Sequence, residues 1–177
     1  MNMIREISLQ ELLRARELRA ARQKELINKY QACLISFMVN TPGKFKLTVL
    51  SKKIHDEGSK VLRETFEKEY IFPIYQEVHK KATGIESFIL VNMDEIKLKK
   101  ILVEIEDNHL LGRLFDFDVI NKEYQNISRQ TIKKRGRRCL LCKDQAAVCV
   151  RSQKHSYEEL LEKINTISKE YFNMMSG

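Results

Sequence analysis

Gly112-Arg113-Leu114-Phe115-Asp116-Phe117-Asp118-Val119-Ile120 alternates apolar and acidic residues with period two. That is the pattern of a strand with one buried and one exposed face. Phe115, Phe117 and Val119 take the first face, Asp116 and Asp118 the second. Two carboxylates on one face repel, and each raises the other's pKa. A cation between them relieves the repulsion, and hard oxygen ligands suit Mg²⁺, usually held by one or two carboxylates plus substrate phosphates. Spacing alone equally allows a half-exposed strand with two solvated aspartates.

Upstream, Ile101, Val103 and Ile105 alternate with Leu102, Glu104 and Glu106. This predicts a further strand with an acidic face, joined to the Asp-x-Asp strand by the turn Asp107 to Gly112. Closely connected strands are expected to pair antiparallel. Glu104 or Glu106 would then supply a third carboxylate beside Asp116 and Asp118, the register deciding which. His109 in that turn is a candidate base toward an incoming hydroxyl, or a residue that hydrogen-bonds across its own turn. Downstream, Asn121-Lys122-Glu123 forms a polar turn, and Asn126 to Arg129 is expected to complete the sheet edge.

Other segments supply the rest of the sheet. Ala32 to Val39 is nearly unbroken apolar sequence, as in a central strand buried on both faces. Ser87 to Val91 reads as a second apolar strand, and Ile74 to Val78, after the break at Pro73, as a short third. Three helices are expected. Ser8-Leu9-Gln10-Glu11 is a capping box opening a helix to about Lys29. Leu9, Leu13, Ala20 and Ile27 lie on one face of it, with Arg16 and Gln23 near the middle of that face. Ile54, Val61, Leu62, Phe66 and Tyr70 form a stripe in a helix from about Leu50. Ser156-Tyr157-Glu158-Glu159 caps a terminal helix whose Leu160, Leu161, Ile164, Ile167 and Tyr171 face the core.

The chain of 177 residues is 43% hydrophobic and 32% charged, with two prolines and six glycines, as expected of a single folded domain spanning residues 1–177. Its net charge of +8 points to an anionic partner. No apolar run reaches the ~18 to 20 residues of a membrane span, and Met1 to Ile7 lacks the features of a signal peptide. A cytoplasmic protein is the expectation, with its four cysteines as thiols or metal ligands. The segment at about 129–155 carries Arg129, Lys133, Lys134, Arg135, Arg137, Arg138, Lys143 and Arg151 against one acid, Asp144. Within it, Cys139, Cys142 and Cys149, with His155, could close a tetrahedral zinc site. The six-residue gap between Cys142 and Cys149 is short for paired knuckles and no second CxxC exists, which favours free thiols in a small turn.

An acidic face beside basic groups suits phosphoryl or nucleotidyl transfer. Metal ions there bridge carboxylate and phosphate oxygens, and cationic side chains take up charge on the departing phosphates. Arg113, Arg16, Lys46, Arg137 and Arg138 are the candidates for that second task. The turn Thr41-Pro42-Gly43 with its following lysines also offers an approach to phosphate, though without phosphate-loop spacing. Two other readings compete: a basic, zinc-stabilised module binding nucleic acid, and a nucleotidyltransferase acting on a small molecule. The first leaves the acidic face unexplained, and its basic residues are not interleaved with aromatics.

Several separated segments carry a more specific signal. They are Leu12-Leu13-x-x-Arg16-Glu17-x-Arg19-x-x-Arg22-Gln23, Pro42-Gly43-x-x-Lys46, His109-x-Leu111-Gly112-Arg113-Leu114-x-Asp116-x-Asp118-Val119, and Arg137-Arg138-Cys139-Leu140-Leu141-Cys142 with Cys149-x-Arg151-x-x-x-His155. In this order they resemble the citrate lyase holo-acyl-carrier-protein synthase family, the apo-citrate lyase phosphoribosyl-dephospho-CoA transferases. The resemblance runs from about Leu12 to His155. It implies that a serine of the citrate lyase acyl carrier subunit attacks the innermost phosphorus of triphosphoribosyl-dephospho-CoA, with release of pyrophosphate. It also implies Mg²⁺ on Asp116 and Asp118, and an α+β, nucleotidyltransferase-like mixed or antiparallel sheet with packed helices. Carrier proteins of this kind are usually acidic, which suits the basic charge. One departure is visible: the common nucleotidyltransferase pattern has a Gly-Ser pair at a helix start, whereas Gly112 is followed by Arg113.

Overall fold

The structure, a computed structural model, describes residues 5–175, so Met1 to Ile4 of the stretch read for a signal peptide lie outside it. The elements run α1 (Leu9–Tyr30), β1 (Cys33–Val39), α2 (Val49–Lys68), β2 (Pro73–Lys81), β3 (Gly84–Val91), α3 (Glu95–Asn108), β4 (Phe115–Ile120), α4 (Ala146–Arg151) and α5 (Tyr157–Met174). A 3₁₀ turn at Gly112–Leu114 precedes β4. The four strands form one antiparallel sheet in the order β2-β3-β1-β4. The fold is α+β, with helices on both faces of the sheet.

Alternation assigns the faces. Ile35, Phe37, Phe115, Phe117 and Val119 join Ile54, Leu62 and Phe66 of α2, Leu98, Leu102 and Ile105 of α3, and Ile164 and Tyr171 of α5 in the larger core. Leu34, Phe88, Leu90 and Ile120 turn the other way and meet Leu26 and Ile27 of α1. At roughly 25 cal/mol per Å² of apolar area, these two layers supply the main stabilisation. Gly58 permits the close approach of α2, since a Cβ there would lie 2.4 Å from Phe37 Cζ and 3.0 Å from Phe115 Cε1. Among the described residues, no helix is long and apolar enough to cross a membrane.

The segment 101–106 departs from the expectation of a strand: it is the second half of α3. Asp94 starts that helix by accepting from the Lys97 N–H at 2.8 Å. Leu98, Leu102 and Ile105 then bury one edge of a helical stripe, and Lys99, Val103 and Glu106 the other. Apolar Ile101, Val103 and Ile105 alternate over this short span, but the buried residues are the pairs 102–103 and 105–106, which is helical spacing. The antiparallel neighbour of β4 is therefore β1, with Met38 opposite Asp116 and Ser36 opposite Asp118. Asn126 to Arg129 adds no strand, only a single bridge between Ile120 and Asn126.

The face of α1 is also rotated from the expected one. Leu9 and Leu13 are exposed, as is Ala20, while Ala15, Leu26 and Ile27 are buried. Part of the inward stripe is charged and so escapes a search for apolar periodicity. Arg19 Nε lies 2.9 Å from Glu86, a fully buried residue of β3. Arg22 grips Glu77 of β2 through two bonds, at 2.7 and 2.6 Å. These partly buried pairs, the second of them bidentate, pin the helix to the sheet more firmly than exposed ones would. Arg16, by contrast, is exposed. The stripe of α2 ends before Tyr70, which is exposed with a positive φ of 54°.

Candidate active site

Asp116 and Asp118 lie on the α1 side of β4, opposite Met38 and Ser36 of β1. A cleft there is lined by Arg16 and Arg19 of α1, Lys46 of the loop after β1, Ser51 and His55 of α2, and Asp116. Three of the residues singled out from sequence thus share one cavity: Arg16, Lys46 and Asp116. Lys46 donates to the Thr41 carbonyl, and burial, with Arg16 close by, holds its ammonium below the usual lysine range. Gly43 makes the tight path of this loop possible. Its φ is +74°, and any Cβ would collide with the ring of Tyr157 at 2.2 Å.

The Asp116 carboxyl is pushed up chiefly by burial; Arg137 opposes this, and Asp118 and Glu106 add to it. Arg137 Nη2 stands 3.1 Å from Asp116 Oδ1 and also bonds to Glu106. Asp118 Oδ1 accepts from Asn126 Nδ2 at 3.1 Å. Two same-face carboxylates, one destabilised as an anion by its surroundings, fit a hard divalent cation.

Of the two glutamates considered as third ligands, Glu104 is exposed on α3. Glu106 is buried and reaches the outer edge of β4, where it accepts from the Phe117 N–H at 3.1 Å. Lys99, also buried, donates to the Phe117 carbonyl at 2.9 Å, so α3 covers both outward backbone groups of Phe117. The other oxygen of Glu106 takes Arg129 at 2.6 Å, and Arg129 continues to Asp107 at 2.8 Å. With both oxygens engaged, Glu106 anchors the two arginines.

Arg113 is half-buried and makes no hydrogen bond or ion pair with another described residue. Burial, then Arg137 and Arg129, hold its pKa down. Arg138 is exposed, at a bridge with Gln145. His109 is not in the cleft. Its ring packs against Phe115 and Tyr171 on the opposite side of the sheet, and its Nδ1 accepts from the Leu111 N–H at 3.1 Å. Cys139, Cys142, Cys149 and His155 come together beside this region, their donor atoms all within 4.8 Å of one another.

Reading the sequence missed His55. It is buried, bonds to Ser87 Oγ at 2.9 Å, stacks on Phe37 and lines the cleft. The signal was present, because Ser51, Ile54, His55, Gly58 and Leu62 follow helical spacing along one face of α2. Asn126, which braces Asp118 through a turn, carries no such signal.

Comparison with known proteins bears on this geometry. A family model described as apo-citrate lyase phosphoribosyl-dephospho-CoA transferase matches residues 7–171. A Vibrio cholerae serotype O1 protein named as a probable apo-citrate lyase phosphoribosyl-dephospho-CoA transferase is 38% identical over 166 residues, covering 93% of each chain. Proteins of Escherichia coli O7:K1 and Citrobacter koseri, named as apo-citrate lyase phosphoribosyl-dephospho-CoA transferases, are each 34% identical over 161 residues, covering 91% of this chain and 88% of their own. The chain that builds this cleft around Asp116 belongs to the apo-citrate lyase phosphoribosyl-dephospho-CoA transferase family.

Proposed function

We propose that this chain transfers the phosphoribosyl-dephospho-CoA group from triphosphoribosyl-dephospho-CoA to a serine of the apo acyl carrier subunit of citrate lyase. The observation that carries the reading is the cleft in which Asp116 shares walls with Arg16 and Lys46, in a member of this family. The serine oxygen bonds to the innermost phosphorus, and the bond from that phosphorus to pyrophosphate breaks. The hydroxyl proton leaves to solvent at the open side of the cleft. Such a reaction asks a protein mainly for positioning and for charge aimed at the phosphates. Arg16 has a guanidinium free to meet phosphate oxygens, Lys46 lines the same cleft with its ammonium held at the Thr41 carbonyl, Arg113 stands near Arg137, unpaired among the described residues, and Arg137 orients Asp116. Asp116 and Asp118 are the residues that would hold Mg²⁺, which would supply positive charge to offset that of the phosphates.

We read the antiparallel sheet, with its Asp-x-Asp strand at one edge, as nucleotidyltransferase-like. The proposed setting is the cytoplasm, in keeping with the free cysteines. The net charge of +8 complements an acidic carrier. A nucleic-acid-binding role gains nothing from the comparisons. Incubation with apo carrier subunit, donor and Mg²⁺, followed by mass spectrometry, tests the proposal. A gain of one phosphoribosyl-dephospho-CoA group on a carrier serine is expected, and an unchanged carrier mass defeats it.

A further inference from the structure

Between Ser128 and Ser156 the chain has little to hold it in shape. Its one regular element is the six-residue α4, and its buried apolar side chains are Ile132 and Cys149. Burial on that scale cannot offset the conformational entropy of ordering so long a segment. Yet the segment has a defined backbone. Arg138 pairs with Gln145, the Cys139 N–H donates to the Asp144 carbonyl at 2.7 Å, and the Ala146 N–H donates to the Arg137 carbonyl at 2.8 Å. This small hairpin carries Cys139 and Cys142 at its tip. Cys149 follows on α4, and His155 stands just ahead of Ser156, which caps α5.

The four side chains converge. Cys142 Sγ lies 3.5 Å from Cys149 Sγ and 3.3 Å from His155 Nε2, and all four donor atoms fall within 4.8 Å of one another. A disulfide needs sulfurs at about 2.05 Å, so none is formed. A tetrahedral zinc ion, with Zn–S of about 2.3 Å and Zn–N of about 2.0 Å, needs donor separations of about 3.5 to 3.8 Å. The observed spacings bracket that range. The Leu141 N–H points at Cys139 Sγ at 3.4 Å, the kind of backbone bond that supports a thiolate ligand. Three thiolates and a neutral imidazole around Zn²⁺ leave one net negative charge, and the surrounding segment is strongly basic.

We propose that Cys139, Cys142, Cys149 and His155 bind one structural zinc ion that holds the 128–156 segment together. The site is closed, with four protein ligands and no open position, so its task is architecture. Its effect on the cleft passes through two residues of chain. Cys139 fixes the hairpin, and Arg137, on the same hairpin, reaches Asp116 and Glu106. Zinc thereby supplies the cross-link that a hydrophobic core would otherwise provide.

Metal analysis of the full chain, purified under reducing conditions, tests this without reference to turnover. The expected result is one zinc per chain by plasma mass spectrometry. Replacement by Co²⁺ should give the d–d bands of tetrahedral cobalt and a thiolate-to-cobalt charge-transfer band. Cys142→Ser should lose stoichiometric metal, whereas His155→Cys should keep it as a four-thiolate site. Folded, reduced protein that carries no stoichiometric zinc and gives no tetrahedral cobalt spectrum would overturn the proposal. Iron in place of zinc, or a Cys142–Cys149 disulfide in freshly purified protein, would overturn it as well.

Discussion

Arg137 joins Asp116 to the hidden edge of the sheet: its Nη2 is 3.1 Å from Asp116 Oδ1 and bonds at the same time to Glu106. Glu106 is buried and is held by Arg137 and Arg129. Arg137→Ala leaves Glu106 with Arg129 and the Phe117 N–H, a partial loss costing about 1–3 kcal/mol in urea unfolding. It also frees Asp116, and transfer to the carrier should fall by roughly 10²-fold. Arg137→Lys keeps the charge but not the planar fork, and should recover stability better than rate. Equal losses in both variants and both measurements would contradict a positioning role.

Asp116→Asn and Asp118→Asn remove a carboxylate without changing size. Transfer should fall by at least ~10²-fold in each, as when an electrostatic stabiliser is lost. Stability should behave differently. Burial raises the Asp116 carboxyl above its ordinary 3.8, so the folded state binds its proton more tightly than the unfolded state does. Ionising it therefore costs stability as pH rises through the window just above 3.8, and the deficit persists at neutral pH. Asp116→Asn should unfold at the same or higher urea concentration at pH 7. A less stable variant would show that the carboxylate is a structural partner rather than a reserved ligand.

Arg113 gives a prediction of the opposite kind. A half-buried guanidinium without a partner, beside Arg129 and Arg137, is unfavourable in the free protein. An anionic donor would relieve it. Arg113→Met should leave stability unchanged or raised, while kcat/KM for the donor falls by roughly 10- to 100-fold, mostly through KM. A stability loss with unchanged donor kinetics would remove Arg113 from the phosphate-binding set.

How much of this was readable in sequence depended on which physical signal each residue carried. The β1 and β4 strands and the capping boxes at Ser8 and Ser156 were legible, because apolar alternation and local side-chain bonds leave direct marks. The α3 segment is ambiguous in sequence because Ile101, Val103 and Ile105 alternate like a strand, while the burial of Glu106 in place of an apolar residue hides the helical stripe. The face of α1 is hidden in sequence because Arg19 and Arg22 look inward, and their partners Glu86 and Glu77 lie 67 and 55 residues away. The convergence of Asp116, Arg137 and Glu106 is a product of the strand order and of a helix covering an edge. Neither is encoded within one window.

His55 offers a test of the cleft's interior by pH alone. Burial pushes its imidazole pKa down from 6.5 to about 4, and it holds Ser87 Oγ at 2.9 Å while stacked on Phe37. The unfolded chain therefore binds this proton near pH 6.5, but the folded chain resists it until about pH 4. Stability should fall as pH drops through that window, by roughly 3 kcal/mol in total, and change no further from this source below it. His109 is shifted the same way, so the wild-type slope alone does not isolate His55. His55→Gln can keep a bond to Ser87 and cannot titrate. Losing the stacked ring should cost it about 1 kcal/mol at pH 7.5, but its urea midpoint should decline less than that of the wild type between pH 6.5 and 4. Parallel declines in the two proteins would mean that His55 is hydrated and charged at mildly acid pH, and that the cleft wall opens to water.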